Sequence, residues 1–475
     1  MIIMNLENLT ILQARNLLDN KQITVRTLVD HYRRVISEKN HEINAYIEIF
    51  TNTDAEIDRA QKMIDKGEQK TLTGIPYALK DNILYKDHQV TSASKILEGY
   101  VASYDSHVIE CLKEEGAIPI GRTNMDEFAM GSSTEYSAYG PTKNPLDASC
   151  VPGGSSGGPA AAVAMDSCVF ALASDTAGSI RQPASFCGIV GLCPTYGAVS
   201  RSGLISLGSS LDCIGPLTKT TEDAQIIYNI INAYDYMDST SVPLEKRNMQ
   251  SRAFHKPKKI GIPREFVNDP GISSDMKASF DRAVSIFIDA GYEIVDIEIP
   301  HIALSLPVYY IILPAEASSN LARFDGVRYG IREKGEDLLE TYIKTRGEGF
   351  GKEVRRRIIL GTYVLSAGYR DSYYGQATRL RSLIREEFIN AFKKVDVIIT
   401  PTTSGGAFRF GEKSDPVAMY ISDLFTVPAN IAGIPAISVS FGKTKDGMPL
   451  GMQIIASHFN EDALFVLGKV LEDNK

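Results

Sequence analysis

The chain has 475 residues, 44% of them hydrophobic and 23% charged, a composition that supports a large core and excludes an intrinsically disordered protein. Its 50 Lys and Arg against 58 Asp and Glu leave a net charge of −8, which disfavours nucleic acid held by this chain alone in a general basic field. Six cysteines without a C-x-x-C, Cys111, Cys150, Cys168, Cys187, Cys193 and Cys213, are expected as reduced thiols; with no run of 18 apolar residues and no signal-peptide pattern in the first nine, the expectation is a soluble cytoplasmic protein without a membrane partner.

From the N-terminus, Thr10 and Gln13 stand at capping-box spacing and Leu12, Leu17 and Leu18 can share a face, which predicts a helix over 10–19. A second helix is predicted after Thr24, where Leu28, Val29, Tyr32, Val35 and Ile36 recur at helical spacing. Strands and helices then alternate: a buried strand over 74–80 ending in Lys80, a helix over 107–115 and a strand over 117–120. Further on come a strand over 259–262, a helix over about 275–290 and a strand over 292–299. This order predicts an α/β fold with helices packed on a parallel or mixed sheet. The polar, proline-bounded stretch 243–257 reads as a surface connector.

The segment 153–215 differs from the rest, with 11 glycines in 63 residues against 38 in 475 overall. Between Pro152 and Ala198 the only charged residues are Asp166, Asp175 and Arg181, so the segment is expected to be buried, with glycines permitting tight turns and close approach to a ligand. Two serine clusters lie in it: Gly-Gly-Ser-Ser-Gly-Gly at 153–158 and Asp-Thr-Ala-Gly-Ser-Ile-Arg at 175–181. The first also satisfies G-x-S-x-G at 154–158, the nucleophile elbow centred on Ser156, although glycine and serine are common enough here to produce that match by composition.

A serine nucleophile needs a base. None of the seven histidines lies in the Gly/Ser segment, and 153–218 contains no lysine. Lys80, at the end of an apolar strand, is the cation that could be delivered to this neighbourhood from outside, and burial would lower its pKa toward that of a usable base. The alternative is that Lys80 simply pairs with Asp81 or another carboxylate.

Lys80, the 153–158 cluster and Asp175-Thr-Ala-Gly-Ser179-Ile-Arg-Gln-Pro-Ala184 resemble the amidase signature family in order and spacing. The resemblance implies the amidase signature fold, a large mixed β-sheet covered by helices on both faces, as one domain over 1–475. Its parts are N-terminal helices to about 70, a signature core over about 71–240 and a second α/β portion over about 257–475. It also implies a Ser-cisSer-Lys triad with Ser179 as nucleophile, Ser155 as the proton-relaying serine on a cis peptide and Lys80 as base. Backbone N–H groups of Thr176, Ala177, Gly178 and Ser179 would form the oxyanion hole. Ala177 stands where the family usually has Gly, and would be strained if that position needs φ > 0; Pro159, Cys193 and Ala198 replace the commoner Ser, Lys and Arg.

Within the family, the segments 121–145, 353–358, 369–374 and 419–423 are similar to the glutaminase subunits of tRNA-dependent amidotransferases, over nearly the whole length. That branch implies glutamine as ammonia donor, with Asp423 taking its ammonium and Arg357, or Arg356, its carboxylate; Gly131 and Ser132 are placed beside the same pocket. Without the resemblance, 355–357 would read as a solvated basic helix face. The branch also implies two partners, the B and C subunits of a heterotrimer, with mischarged tRNA met mainly through a partner. ATP and Mg²⁺ are likewise expected in a partner, since this chain has no phosphate-binding G-x-x-x-x-G-K-[ST] loop and no metal-ligand spacing. A stand-alone amidase acting on another carboxamide, and a silent scaffold motivated by Ala177, are the competing expectations.

Overall fold

The computed structural model describes residues 5–250, 256–413 and 415–475. Its strands are β1 (Tyr46–Ile49), β2 (Pro76–Lys80), β3 (Ile118–Thr123), β4 (Phe170–Asp175), β5 (Val190–Cys193), β6 (Cys213–Thr218), β7 (Lys259–Ile262), β8 (Glu293–Asp296), β9 (Val397–Pro401), β10 (Ala436–Lys443) and β11 (Pro449–Ala456). They join one sheet in the order β1-β3-β2-β4-β6-β5-β10-β11-β9-β7-β8. Two parallel blocks, β3-β2-β4 and β9-β7-β8, flank an antiparallel centre. This is the expected α/β architecture with a large mixed sheet.

Every residue of β2, β3, β4 and β6 is buried, which requires cover on both faces of the sheet. The helices Gly157–Ala164 and Arg181–Cys187 pack on each other and on the strands, while Thr221–Ile231 and Glu461–Glu472 form a second packed pair over β5, β6, β10 and β11. Because β2 runs parallel to β4, their last residues, Lys80 and Asp175, come out at the same end of the sheet. Loops beyond the carboxyl ends of parallel strands are where α/β sheets place ligands.

The local signals mostly act as the sequence predicts. Thr10 caps the helix Ile11–Asp19 through a reciprocal capping box, with Gln13 N–H donating to Thr10 Oγ1 at 3.2 Å and Thr10 N–H to Gln13 Oε1 at 3.0 Å. Its buried face, however, is Ile11, Ala14, Arg15 and Leu18, and Leu12 is 44% exposed. The i, i+3, i+4, i+7 row wins because it alone stays on one side at 3.6 residues per turn. The helix Val25–Ile43 buries the predicted stripe.

Two boundaries differ. The strand expected over 292–299 pairs only over Glu293–Asp296, since β8 is an edge strand whose one neighbour, β7, is four residues long. The connector 243–257 begins as a helix, Leu244–Gln250, and Arg247 is buried, donating to the carbonyls of Val242 and Ala198; residues 251–255 lie outside the described residues, as do 1–4 of the N-terminal stretch. The helical run Ile302–Arg323 is long and apolar enough by composition to cross a membrane, yet half of that window is inside the protein.

Pro159 fits its helix because it falls in the first turn of Gly157–Ala164, where a backbone N–H has no intrahelical partner to lose.

Candidate active site

Lys80 is fully buried at the end of β2, and Nζ stands 2.8 Å from Oγ of both Ser155 and Ser156 and 3.0 Å from Ser174 Oγ. Among the described residues no carboxylate lies within ion-pair distance of it; Asp81, the partner the plain structural reading offered, is bound by Arg122 instead. Burial therefore dominates, pulling the Lys80 pKa down to about 7 against the more distant charges of Asp126, Asp175 and Asp212.

The Gly154–Ser155 peptide bond is cis. Ser156 donates its hydroxyl to the Ser174 carbonyl at 3.1 Å, so its proton is committed. The Ser155 hydroxyl has no hydrogen-bond partner other than Lys80 among the described residues. The elbow match at 154–158 lacks the strand that should lead into it, which removes the structural context of that reading.

Ser179 sits in the turn between β4 and the helix Arg181–Cys187, 8% exposed. Its carbonyl accepts from Ser156 N–H at 3.2 Å, which ties the two serine loops together, but its hydroxyl is not in hydrogen-bond contact with Ser155 or any other described residue. The turn is built around Asp175, whose carboxylate accepts from Gly178 N–H (2.7 Å), Ile180 N–H (3.1 Å), Asn430 Nδ2 (2.9 Å) and the Arg181 guanidinium (3.0 and 3.1 Å). Burial alone would raise the Asp175 pKa; Arg181 and these donors outweigh it and hold the group ionised.

Of the four expected oxyanion donors, Gly178 N–H is thus occupied by Asp175. Thr176, Ala177 and Ser179 N–H meet no acceptor among the described residues. Ala177 is not in the left-handed region; that role belongs to Gly178, at φ 120°. The strain that a Gly-to-Ala replacement raised does not arise.

The residues expected around a substrate form a second cluster. Asp423 is buried, its carboxylate 3.0 Å from Ser132 Oγ through both oxygens and 3.3 Å from Tyr310 Oη. Burial pushes its pKa up to about 7, against the pull of Ser132, Arg357, Tyr310 and Lys413. Gly131 leaves room for Asp126: a Cβ at 131 would lie 2.4 Å from that carboxylate.

Arg357 is 4% exposed and donates through Nε to Glu353 at 2.8 Å, whereas the Arg356 side chain is 44% exposed. The solvated-face reading of 355–357 therefore holds for Arg355 and Arg356 and fails for Arg357. The Arg357 guanidinium lies against the rings of Tyr310 and Tyr420, which stack on each other at 4.0 Å. Tyr420 donates to Glu353 at 2.9 Å, so one ring orients the acid beside Arg357 and the other the acid Asp423.

Sequence reasoning missed several of these groups. Glu353 and Tyr420 lie inside motifs already singled out, and Glu353 is four residues before Arg357 on a helix, a spacing that signals a pair. Gln182 also lies inside a quoted motif, 175–184, but no local spacing signals its partners: its amide accepts from Gly154 N–H at 2.9 Å and donates to the Ser132 carbonyl at 2.8 Å, joining the two clusters. Tyr310 carries no local signal at all.

The Amidase family profile matches residues 27–465. The chain is 49% identical over 476 residues to a protein named as the A subunit of glutamyl-tRNA(Gln) amidotransferase from Caldanaerobacter subterraneus subsp. tengcongensis, covering 99% of this chain and 97% of that one. It is 50% identical to the protein of the same name from Thermoanaerobacter pseudethanolicus, covering 98% and 95%. The crystal structure of the protein of that name from Thermotoga maritima superposes with a TM-score of 0.82 at 39% identity, covering 100% of this chain and 96% of that one.

Proposed function

The chain belongs to the Amidase family, and on that premise we propose that it is the glutaminase component of a tRNA-dependent amidotransferase. It hydrolyses glutamine to glutamate and ammonia, and the ammonia is used by a partner to amidate Glu-tRNA(Gln), Asp-tRNA(Asn) or both. The observation that carries this reading is the second cluster: a buried carboxylate and a buried arginine with aromatic walls, joined through Gln182 to the serine–lysine cluster. A free amino acid brings one ammonium and one carboxylate, and this cluster offers a carboxylate for the first and the Nη groups of an arginine, held through Nε by Glu353, for the second. Near-full-length identity of 49–50% to proteins that bear the amidotransferase name supports the same reading over a stand-alone amidase.

In the proposed mechanism Asp423, oriented by Ser132 and Tyr310, receives the ammonium, and the Nη groups of Arg357 receive the carboxylate. Ser179 Oγ attacks the carboxamide carbon while its proton passes to Ser155 Oγ, and the Ser155 proton passes to neutral Lys80. The developing oxyanion is met by N–H groups of the 176–179 turn. Lys80 then returns the proton through Ser155 to the leaving nitrogen, ammonia departs, and an ester remains on Ser179. Water, deprotonated through the same relay, hydrolyses it to glutamate. The ATP- and Mg²⁺-dependent activation and the main tRNA contacts are assigned to the B and C subunits of a cytoplasmic heterotrimer.

The test is intact-protein mass spectrometry after exposure to a glutamine analogue that acylates serine, in wild type, Ser179→Ala and Ser156→Ala. An adduct absent only from Ser179→Ala is expected. An adduct absent only from Ser156→Ala would move the nucleophile to the 153–158 loop, and no adduct in any of the three would point to a partner-dependent or silent site.

A further inference from the structure

The turn that carries Ser179 is gripped from outside by one residue that neither cluster accounts for. Thr426, fully buried, places its hydroxyl 2.5 Å from the Ala177 carbonyl and 3.1 Å from the Asp423 carbonyl, and its own backbone N–H donates to the same Asp423 carbonyl at 3.1 Å. Arg181 Nη1 donates to the Thr426 carbonyl at 3.0 Å. The side chain lies so close over Gly178 that a Cβ there would be 2.1 Å from Thr426 Oγ1.

The Ala177–Gly178 peptide is therefore fixed at both ends, its oxygen by Thr426 and its N–H by Asp175 at 2.7 Å. Fixing that plane sets the directions of the peptides on either side, whose N–H groups, Ala177 and Ser179, are left without an acceptor among the described residues. An oxyanion hole is effective only when its donors are aimed in advance, so that no reorganisation is needed as charge develops. The same threonine is anchored to the backbone of Asp423, the acid proposed to hold the substrate ammonium.

We propose that Thr426 is a positioning residue that locks the middle peptide of the oxyanion turn and ties it to the ammonium-binding segment. The proposal rests on the glutaminase reading above. It predicts that Thr426 acts on the transition state more than on ground-state binding, because its hydroxyl touches the turn and the Asp423 backbone, not the Asp423 carboxylate.

The experiment uses the assembled complex with its partners and compares wild type, Thr426→Val, Thr426→Ala and Thr426→Ser. In Thr426→Val and Thr426→Ala, which delete the hydroxyl's hydrogen bond to the turn, kcat for glutamine hydrolysis is expected to fall about tenfold while KM stays within about twofold. Thr426→Ser keeps the hydroxyl and is expected within about twofold of wild type. Binding gives a second readout: affinity for glutamate γ-semialdehyde, whose adduct with serine carries the oxyanion, should weaken in step with kcat, while affinity for glutamate is unchanged. Wild-type kcat in Thr426→Ala, equal loss for glutamate and semialdehyde, or a tenfold loss in Thr426→Ser overturns the proposal. Should Thr426→Val fail to fold, Thr426→Ala and Thr426→Ser decide. Turnover persisting in Ser179→Ala removes the parent reading, and this one with it.

Discussion

The two clusters solve opposite electrostatic problems. Around Lys80 the protein supplies hydroxyls and a backbone carbonyl, and leaves the charge of one fully buried amine without a counter-ion at hydrogen-bond distance among the described residues. Around Arg357 it supplies a buried acid, Glu353, whose pKa burial would raise but which Arg357, Tyr420 and Arg356 together hold low. Asp175 and Arg181 are a second ion pair, with both side chains fully buried. Yet Asp423, near Arg357, has hydroxyl partners, and its pKa, like that of Lys80, is moved to about 7. Buried charge is expensive unless paired. At this site the acid Glu353 steadies Arg357 through Nε and leaves its Nη groups for the proposed substrate carboxylate, while Lys80 and Asp423 face the places where a proton and a substrate ammonium are proposed to arrive.

The strongest way to break that comparison is to remove the uncompensated amine. Lys80→Ala is expected to lower glutaminase turnover by about 10³-fold or more, the scale of losing a general base, with a thermal unfolding profile like that of wild type because no ion pair is broken. Normal turnover in this variant would sink the Ser-cisSer-Lys assignment.

A smaller effect separates Arg357 from its neighbour. Arg357→Lys keeps the charge but loses the fork, and KM for glutamine is expected to rise about tenfold to a hundredfold with kcat nearly kept. The exposed Arg356→Lys should change KM by less than about twofold. Steady-state kinetics of the two variants side by side decides which arginine binds the carboxylate, and equal effects would contradict the assignment.

The smallest and sharpest test is pH. Lys80 works neutral and Asp423 works ionised, so both gain their working forms as pH rises through about 7. The value of kcat/KM should therefore increase with pH, and the acid limb of its log plot should approach a slope of about two. In Asp423→Asn one of the two proton steps is gone, and the slope should fall to about one on a lower curve. An unchanged slope would mean that Asp423 does not titrate in this range.

How much of this is legible in the chain depends on the distance over which each contact forms. The capping box at Thr10 and Gln13, the stripe of the second helix and the strand ending in Lys80 are local patterns, and the structure uses them. The stripe of the first helix is misleading through Leu12, because neighbouring leucines suit more than one face and only the packing of Ile11 and Ala14 against the core chooses between them. The 153–158 and 175–181 clusters stand out because both are glycine-rich and short of charge. In contrast, Ser132 meets Asp423 across 291 positions, Tyr310 meets it across 113, and Thr426 meets Ala177 across 249. No periodicity spans such separations.

By itself the sequence determined the fold class, the family resemblance and the short motifs that carry reactive groups, because backbone propensity, patterning and local hydrogen bonds act within a few residues. The tertiary structure alone decided which charges are compensated across long separations: that Asp81 goes to Arg122 and not to Lys80, that Asp175 meets Asn430 as well as Arg181, and that Arg357 faces inward while Arg356 faces water. Those choices set the pKa values and the open donors of the site. They follow from burial and from partners brought in by remote strands and helices, quantities that exist only once the eleven-stranded sheet has been covered by its helices.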